Sequence, residues 1–395
     1  MNIAMIGQKG LPAIHGGVER HVEELSTRLV RYGHNVTVYA RRWYTTKSTD
    51  QNYAGIKIKH LPSINTKNLD TITHTFLATI HAILNRADVI HYHGVGPSLW
   101  SWIPRLISPK TIIVTTFHCI DRKHEKWGRI GRIALTIGEW TSCHFAHRTV
   151  AVSRTIEQYA RDLYDTKTAY IPNGANTLNL NSKSTTGILD RYQLRPKEYI
   201  ILVARFIPHK GIHTAIHAFN NVCAEAPEVI RNRKLVIVGD GHHTDSYVKM
   251  LRTMAKKNPN IIFTGFQHGE NLTTLMANAT ALIHPSFNEG LPLTVLEAMG
   301  LGLPVLLSDI PEHRELGVSD QFIFPTNNLS ALAGALVWLL QTNERDLKEA
   351  STKNRAIVEK QYNWDTIVGT TNALYREAIS KPVINKHIFD TGAAL

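Results

Sequence analysis

Ser286-Phe-Asn-Glu289-Gly-Leu-Pro292-Leu-Thr-Val-Leu-Glu297 joins the short apolar run Ala281-Leu-Ile-His284 to a helical period, and its reading decides the fold. Pro292 suits the first turn of a helix, where a missing N–H costs nothing. Glu289 then stands in the loop ahead of that helix and Glu297 inside it. At about 1.5 Å rise per residue the two carboxylates stand roughly 10 Å apart, with the helix's terminal N–H groups between them. An anion is favoured at such a terminus, and carboxylates on either side accept hydrogen bonds from hydroxyls. Glu297 lies among Leu293, Val295, Leu296, Ala298 and Met299, and the helix runs to Gly300-Leu-Gly-Leu-Pro304. A carboxylate in that company needs a partner.

Outward from this stretch the same alternation recurs. Strands are expected at 199–204, 234–239, 260–264, 281–284 and 304–307, each trailed by a helical segment. The first half repeats the pattern, with strands at 2–7, 35–40, 55–60, 87–92, 111–116 and 148–152. A helix over 18–32 carries Val18, Val22, Leu25 and Leu29 on one face and stops at Gly33. The two series are separated by Pro172-Asn173-Gly174 and a polar stretch of Asn, Ser and Thr. Strand, helix, strand in both halves means parallel sheets with right-handed crossovers. The expected architecture is therefore α/β, two Rossmann-like domains facing a central cleft, with ligand at the carboxyl ends of the strands. The boundaries fall at 1–175, 176–365 and 366–395.

The chain of 395 residues is long for one core, and 43% apolar residues with 8% aromatics describe a folded protein. Met1-Asn-Ile-Ala-Met-Ile-Gly7 lacks the basic start of a leader peptide, and no run reaches the roughly 18 apolar residues of a membrane span. A cytoplasmic location is expected, with peripheral association at the inner face of the membrane as an extension. Cys119, Cys143 and Cys223 form no CxxC pair. Charge is uneven: residues 1–175 hold 22 Lys+Arg against 12 Asp+Glu, net +10, and the remainder 22 against 20, net +2. A basic surface attracts phosphorylated substrate, anionic lipid or nucleic acid.

The spacing and wording of Glu289 to Glu297 resemble the E-x7-E element of retaining GT-B glycosyltransferases, specifically glycosyltransferase family 4. A second element agrees. Gly16-Gly17-Val-Glu-Arg-His-Val-Glu-Glu-Leu resembles that family's opening, where the paired glycines border the donor and acceptor pocket. Arg205-Phe-Ile-Pro-His-Lys210-Gly211, after strand 199–204, looks like its diphosphate-binding arginine and lysine, although the family usually has glutamate where His209 stands. Arginine binds phosphate oxygens bidentately and lysine adds a compact charge. Phe263-Thr-Gly265-Phe266-Gln267 resembles the turn that meets the nucleotide base. The resemblance spans roughly residues 2–380, including Trp364 and a last helix that in this fold crosses back to the first domain.

In the first half, His118-Cys-Ile-Asp121 follows a strand, and the resemblance implies that His118 faces the donor sugar. His93 through Leu99, His118 through Asp121 and Glu125 through Gly128 resemble the N-terminal domain of rhamnosyltransferase-like members. Cys119, Arg122 and His124 depart from that pattern. His91 and His93 share one strand face; with no completing carboxylate or cysteine and no D-x-D triplet, metal-independent chemistry without a cofactor is expected. Arg122, Lys126 and Arg129, with Lys123, Arg132 and Trp127, would make a basic helix face that docks on an anionic membrane, anchored by Trp100 and Trp102.

The implied activity is retaining transfer of a hexose-type sugar from a nucleoside-diphosphate-sugar to a hydroxyl of a lipid-linked or polysaccharide-precursor glycan. Arg205, Lys210 and the amides of Gly290 and Leu291 would meet the diphosphate, Glu289 the sugar, Glu297 the ribose, and Phe266 and Gln267 the base, with Asp121 beside His118. Two other classes stay open: a nucleic-acid-binding protein or DNA-modifying sugar transferase, though no recognition motif supports either, and a non-catalytic sugar-binding subunit.

Overall fold

The computed structural model describes residues 1–14, 16–44, 51–66, 69–123, 128–177, 187–241 and 244–381. The chain divides into two compact units, Met1–Asn173 together with the segment from Trp364 onward, and Gly174–Asn363.

The first unit holds β1 (Asn2–Ile6), β2 (Asn35–Arg41), β3 (Gln51–Tyr53), β4 (Ile56–Leu61), β5 (Val89–His93), β6 (Ile112–Phe117), β7 (Arg148–Ala151) and β8 (Ala169–Tyr170). They form one sheet in the order β3-β4-β2-β1-β5-β6-β7-β8. Ile3 of β1 pairs with Val36 on one side and Val89 on the other, both in parallel. Every residue of β5 and β6 is buried, as helices on both faces of a parallel sheet require. Ala4, Ile6, Tyr39, Ile90, Tyr92 and Ile113 pack with Ala78 and Ala82 of the helix Leu69–Leu84.

One strand departs from the all-parallel expectation. β3 runs antiparallel to β4. Ala54 and Gly55 between them have φ of +50° and +82°, and a two-residue hairpin needs that left-handed backbone. The short edge strand β8 was likewise not expected. The helix Gly17–Arg31 buries Val22, Leu25 and Leu29 and ends where Gly33 turns at φ +81°. The helix Trp364–Ser380 docks on this unit through Arg28 to Asp365 at 2.8 Å, His34 to Asn372 at 2.8 Å and Arg148 to Glu377 at 3.1 Å.

The second unit holds β9 (Tyr199–Val203), β10 (Lys234–Val238), β11 (Ile261–Gly265), β12 (Ala281–His284), β13 (Val305–Ser308) and β14 (Ile323–Phe324), all parallel, in the order β11-β10-β9-β12-β13-β14. Numbered within the unit this is 3-2-1-4-5-6, the common order of a doubly wound sheet. Its core sets Ile200, Leu202, Ile237 and Ile283 against Ile216, Phe219 and Leu336. In each unit the direction of strand addition reverses once, between β1 and β5 and between β9 and β12. Loops at the carboxyl ends of those strands flank the natural ligand crevice of a doubly wound sheet.

Candidate active site

In the second unit the sequence-predicted residues follow the two strands at the reversal. After β9 the chain continues beside β10, with Ala204 N–H bonded to Val238 O at 3.0 Å and Phe206 N–H to Asp240 O at 2.9 Å. Arg205 lies exposed between them. A single 3-10 turn, Pro208–Lys210, ends at Gly211, which caps the helix Ile212–Glu225 at φ +66°. A Cβ at Gly211 would stand 2.1 Å from the carbonyl oxygen of Pro285, so only glycine lets the two loops approach this closely. Phe287 N–H then bonds His209 O at 2.8 Å, tying the loop after β12 to the loop after β9.

This seam brings the Lys210 ammonium onto Glu289 Oε1 in a short hydrogen-bonded ion pair, with His284 Nε2 3.5 Å from the same oxygen. The Glu289 side chain is 8% exposed. Burial alone would raise its pKa, but Lys210, His284 once acid has protonated that ring, and hydrogen bonds from the Lys210 and Ser286 side chains together outweigh burial and hold the carboxyl well below its ordinary value. Burial pushes His284 down to about 3 against the upward pull of Glu289, so it is neutral at physiological pH. Pro292 is the N-cap of the helix Leu293–Gly300 and offers no side-chain cap; Gly290 and Leu291 are buried at its entrance, and Glu297 is half-buried within it.

Phe266 and Gln267 lie elsewhere in this unit, beyond β11 at the sheet edge. Phe266 stacks on His268, and the Gln267 amide donates to Thr264 O at 2.9 Å and to Tyr192 Oη at 3.4 Å. The structure joins Lys210 to Glu289 but leaves these two residues two strands from β9.

In the first unit His118, just past β6, is part of a buried imidazole cluster. His93 Nδ1 lies 3.2 Å from His118 Nε2, and the rings of His91 and His93 are 4.1 Å apart. His21 completes the group from the helix Gly17–Arg31, its ring 4.7 Å from that of His118 and 5.4 Å from Trp364. His21 donates from Nδ1 to Asn173 Oδ1 at 2.9 Å, which leaves Nε2 with the lone pair. Burial lowers His21 to about 4 and His91 to about 3, and takes His93 and His118 well below the ordinary value. One ring nitrogen from each of His21, His93 and His118 lies within 4.8 Å of the others. Three neutral imidazoles are a donor set for a zinc-like ion as well as a proton-sharing network. His91 is committed to the fold, between Tyr375 Oη at 2.6 Å and Thr116 Oγ1 at 2.7 Å.

Gly16 and Gly17 open the first helix beside this cluster's His21. A Cβ at Gly16, φ +102°, would collide with Glu19 Oε2 at 2.1 Å, and Glu19 Oε1 accepts from the Lys9 N–H at 3.0 Å, strapping the glycine loop down. No spacing in the sequence marks His21, His284 or His313 as site residues, although the phrase Gly16 to Leu25 includes His21.

Asp121 begins the turn Asp121–Lys123, and here the basic-face expectation fails. Arg122 is not on the following helix, which starts at Arg129 after Gly128. Its guanidinium turns inward to the buried Glu139, 3.3 Å away, and over the Tyr159 ring. Glu139 Oε2 also accepts from Tyr159 at 2.8 Å and Tyr164 at 2.6 Å. Residues 124–127, with His124, Lys126 and Trp127, and the Lys123 side chain lie outside the described set. Trp100 is no free anchor either, since its Nε1 donates to Ile72 O at 2.9 Å and its ring packs on Phe76. Trp102 is 38% exposed. The exposed residues of the helix Arg129–His144 are instead Ile130 at 85%, Ile133 at 60%, Ile137 and Trp140, spaced along one stripe with Arg129 and Arg132 beside it. Among the described residues no helix is long and apolar enough to cross a membrane.

Residues 15–177 match the model of Glycosyltransferase Family 4, and residues 190–358 that of Glycosyl transferases group 1. An uncharacterized glycosyltransferase of Methanocaldococcus jannaschii is 25% identical over 96% of this chain and 99% of its own. The GPI3 subunit of phosphatidylinositol N-acetylglucosaminyltransferase from Saccharomyces cerevisiae is 20% identical over 95% of this chain and 82% of its own. Among solved structures, Anabaena HepE in complex with UDP-glucose superposes with a TM-score of 0.74 at 20% identity, over 96% of this chain and 99% of that one.

Proposed function

We propose that this chain, which is a glycosyltransferase of the GT-B fold, moves a sugar from a nucleoside-diphosphate-sugar to an acceptor hydroxyl with retention at the anomeric carbon. The observation that carries the donor assignment is the Lys210 and Glu289 pair, built from the two loops at the strand reversal of the second unit. A cation and a carboxylate there answer the two ends of such a donor, diphosphate and sugar hydroxyls. The HepE complex with UDP-glucose supports the same donor class.

In this reading Arg205, Lys210 and the amides of Gly290 and Leu291 meet the charge that develops on the leaving diphosphate, a fixed electrostatic environment rather than a covalent intermediate. Glu289 accepts from sugar hydroxyls and Glu297 from the ribose, while the backbone at Phe266 and Gln267 receives the base. His118, neutral and backed by His93 and His21, acts on the transferred sugar; Gly16, Gly17 and Asp121 border its place. The reaction takes no cofactor. Retention rests on the resemblance of Glu289 through Glu297 to the retaining enzymes, and the anomeric configuration of the product, read by NMR, tests it.

The acceptor we assign is lipid-linked or a polysaccharide precursor, at an anionic membrane surface. Support comes from the Ile130, Ile133, Ile137 and Trp140 stripe, an apolar face with cations beside it in the basic half of the chain. The kinship with a phosphatidylinositol-directed transferase agrees.

The donor site is tested by thermal-shift binding with UDP, GDP, dTDP and ADP and their sugars, on the wild type and on Arg205→Ala plus Lys210→Ala. A shift with one nucleotide that the double variant loses is the expected result. Equal shifts in both proteins would remove these cations from the site.

A further inference from the structure

Behind Glu289 stands a pair of imidazoles whose protons can be assigned. His313 Nδ1 lies 2.7 Å from the carbonyl oxygen of Ser308, which only accepts, so that nitrogen carries the proton. His313 Nε2 therefore presents a lone pair to His284 Nδ1, 3.1 Å away, and His284 Nδ1 must be the donor. A neutral His284 then turns a bare Nε2 towards Glu289 Oε1 at 3.5 Å, lone pair against carboxylate. One more proton on His284 would satisfy both of its nitrogens at once, Nδ1 donating to His313 and Nε2 to Glu289.

The charged and titratable groups acting on His284 are Glu289 and Lys210 from the two loops and His313 from the helix Pro311–Arg314. Lys210 supplies the cation that Glu289 needs, and burial keeps both imidazoles neutral. A diphosphate competes for the same ammonium. Glu289 would then be a buried carboxylate beside an anionic ligand with its cation withdrawn, which is costly unless another cation replaces it.

We propose that His284 takes up a proton from solvent as the donor's diphosphate draws Lys210 away from Glu289, so that donor binding is coupled to proton uptake and the His284 imidazolium holds Glu289 towards the sugar. His284 is thus a positioning residue acting through Glu289, and His313, anchored on Ser308, fixes its tautomer. The inference rests on the donor assignment made above.

The test is isothermal titration of UDP, GDP, dTDP and ADP in turn, in Tris and in HEPES at one pH near 8, above the last phosphate ionisation at about 6. The dependence of the observed heat on the buffer's ionisation heat counts the protons. Wild type is expected to take up protons as nucleotide binds, by an amount that grows as the pH is lowered towards 7. His284→Asn should take up none. Glu289→Gln keeps the side-chain shape and offers an amide N–H to the His284 lone pair, so it too should take up none, and it reports even if His284→Asn fails to fold. Lys210-dependent binding with no proton uptake by the wild type, or equal uptake in Glu289→Gln, overturns the inference alone. Absence of binding by all four nucleotides, or undiminished binding by Lys210→Ala, overturns the donor assignment and the inference with it.

Discussion

Lys210 and Glu289, 79 positions apart in the chain, meet as an ion pair because Gly211 allows the loop after β9 to lie against the carbonyl of Pro285 in the loop after β12. Glu289 lies outside every helix and strand, and Lys210 closes a single 3-10 turn. The reversal of strand order puts the two loops side by side, and the seam between them sets which side chains touch.

Glu289→Ala should therefore lower turnover at least tenfold, about 1.4 kcal/mol of transition-state stabilisation. Lys210→Ala leaves Glu289 buried with only neutral partners, the His284 imidazole and the Ser286 side chain, and should cost as much. Residues that work as a pair are not additive, so the double variant should lose much less than the product of the single losses. Release of nucleoside diphosphate, followed with the donor that binds, reads all three. Near wild-type transfer by Glu289→Ala would remove it from the sugar site.

Gly211→Ala tests the seam itself. A Cβ there meets backbone, not a flexible side-chain end, and the left-handed φ adds strain of roughly 1–3 kcal/mol. The expected outcome is a lowered urea midpoint together with weakened nucleotide binding. A substitution that left both unchanged would mean that the loops hold their positions without this contact.

Much of the fold was legible because parallel strands buried on both faces read as continuous β-branched runs, and each stops at a turn residue. Pro292 and the apolar period after it marked the helix Leu293–Gly300. β3 escaped because three residues carry no periodicity, and only the Ala54-Gly55 turn betrays it. The basic series Arg122, Lys126, Arg129 read as one helix face, yet Arg122 is drawn to the buried Glu139, a partner that tertiary packing alone supplies. His21 was hidden for the same reason. On its helix it reads as one more polar position, and its role depends on Asn173, 152 residues away. His284 lay unremarked inside a strand, and His313 acts on it across 29 residues.

The Glu139 cluster is expected to be a stability element of the loop that carries His118 and Asp121. Its carboxylate accepts from two tyrosines and Arg122, and charged hydrogen bonds of this kind contribute about 1.5–3 kcal/mol each when a buried partner is stranded. Glu139→Ala should lower Tm by several degrees and Arg122→Ala by less, because Arg122 is part-exposed. If Glu139→Ala melts like the wild type, the cluster is not holding that loop.

Acid should destabilise the protein before its carboxylates are exhausted. His21, His91, His284 and His313 titrate at about 4, 3, 3 and 4 in the folded chain, against an ordinary value of 6.5. Between those values the unfolded chain binds more protons than the folded one, so stability rises with pH there, is complete above about 6.5 and is lost as pH falls towards 4. Each of these buried imidazoles costs the fold roughly 3–5 kcal/mol at the acid limit. Tm measured from pH 8 down to pH 4 should be flat at first and then fall steeply below about 6.5. A Tm that holds to pH 4.5 would mean that these rings are hydrated and already free to charge.

Membrane docking is the prediction on which the acceptor assignment turns. Ile130, Ile133, Ile137 and Trp140 recur at three- and four-residue steps, so they form one stripe, and an isoleucine at 85% exposure sets its apolar surface against water for no benefit within its own unit. Burying such a face in the headgroup boundary returns about 25 cal/mol per Å² of apolar area, while Arg129 and Arg132 each add about 1 kcal/mol near an anionic surface. Wild type should float with vesicles containing phosphatidylglycerol and less well with neutral phosphatidylcholine vesicles. Ile130→Glu plus Ile133→Glu should abolish flotation on both. Arg129→Gln plus Arg132→Gln should weaken binding to the anionic vesicles only, and added salt should mimic that variant. If the double glutamate variant still floats, the stripe is not the docking face, and the lipid-linked acceptor loses its structural support.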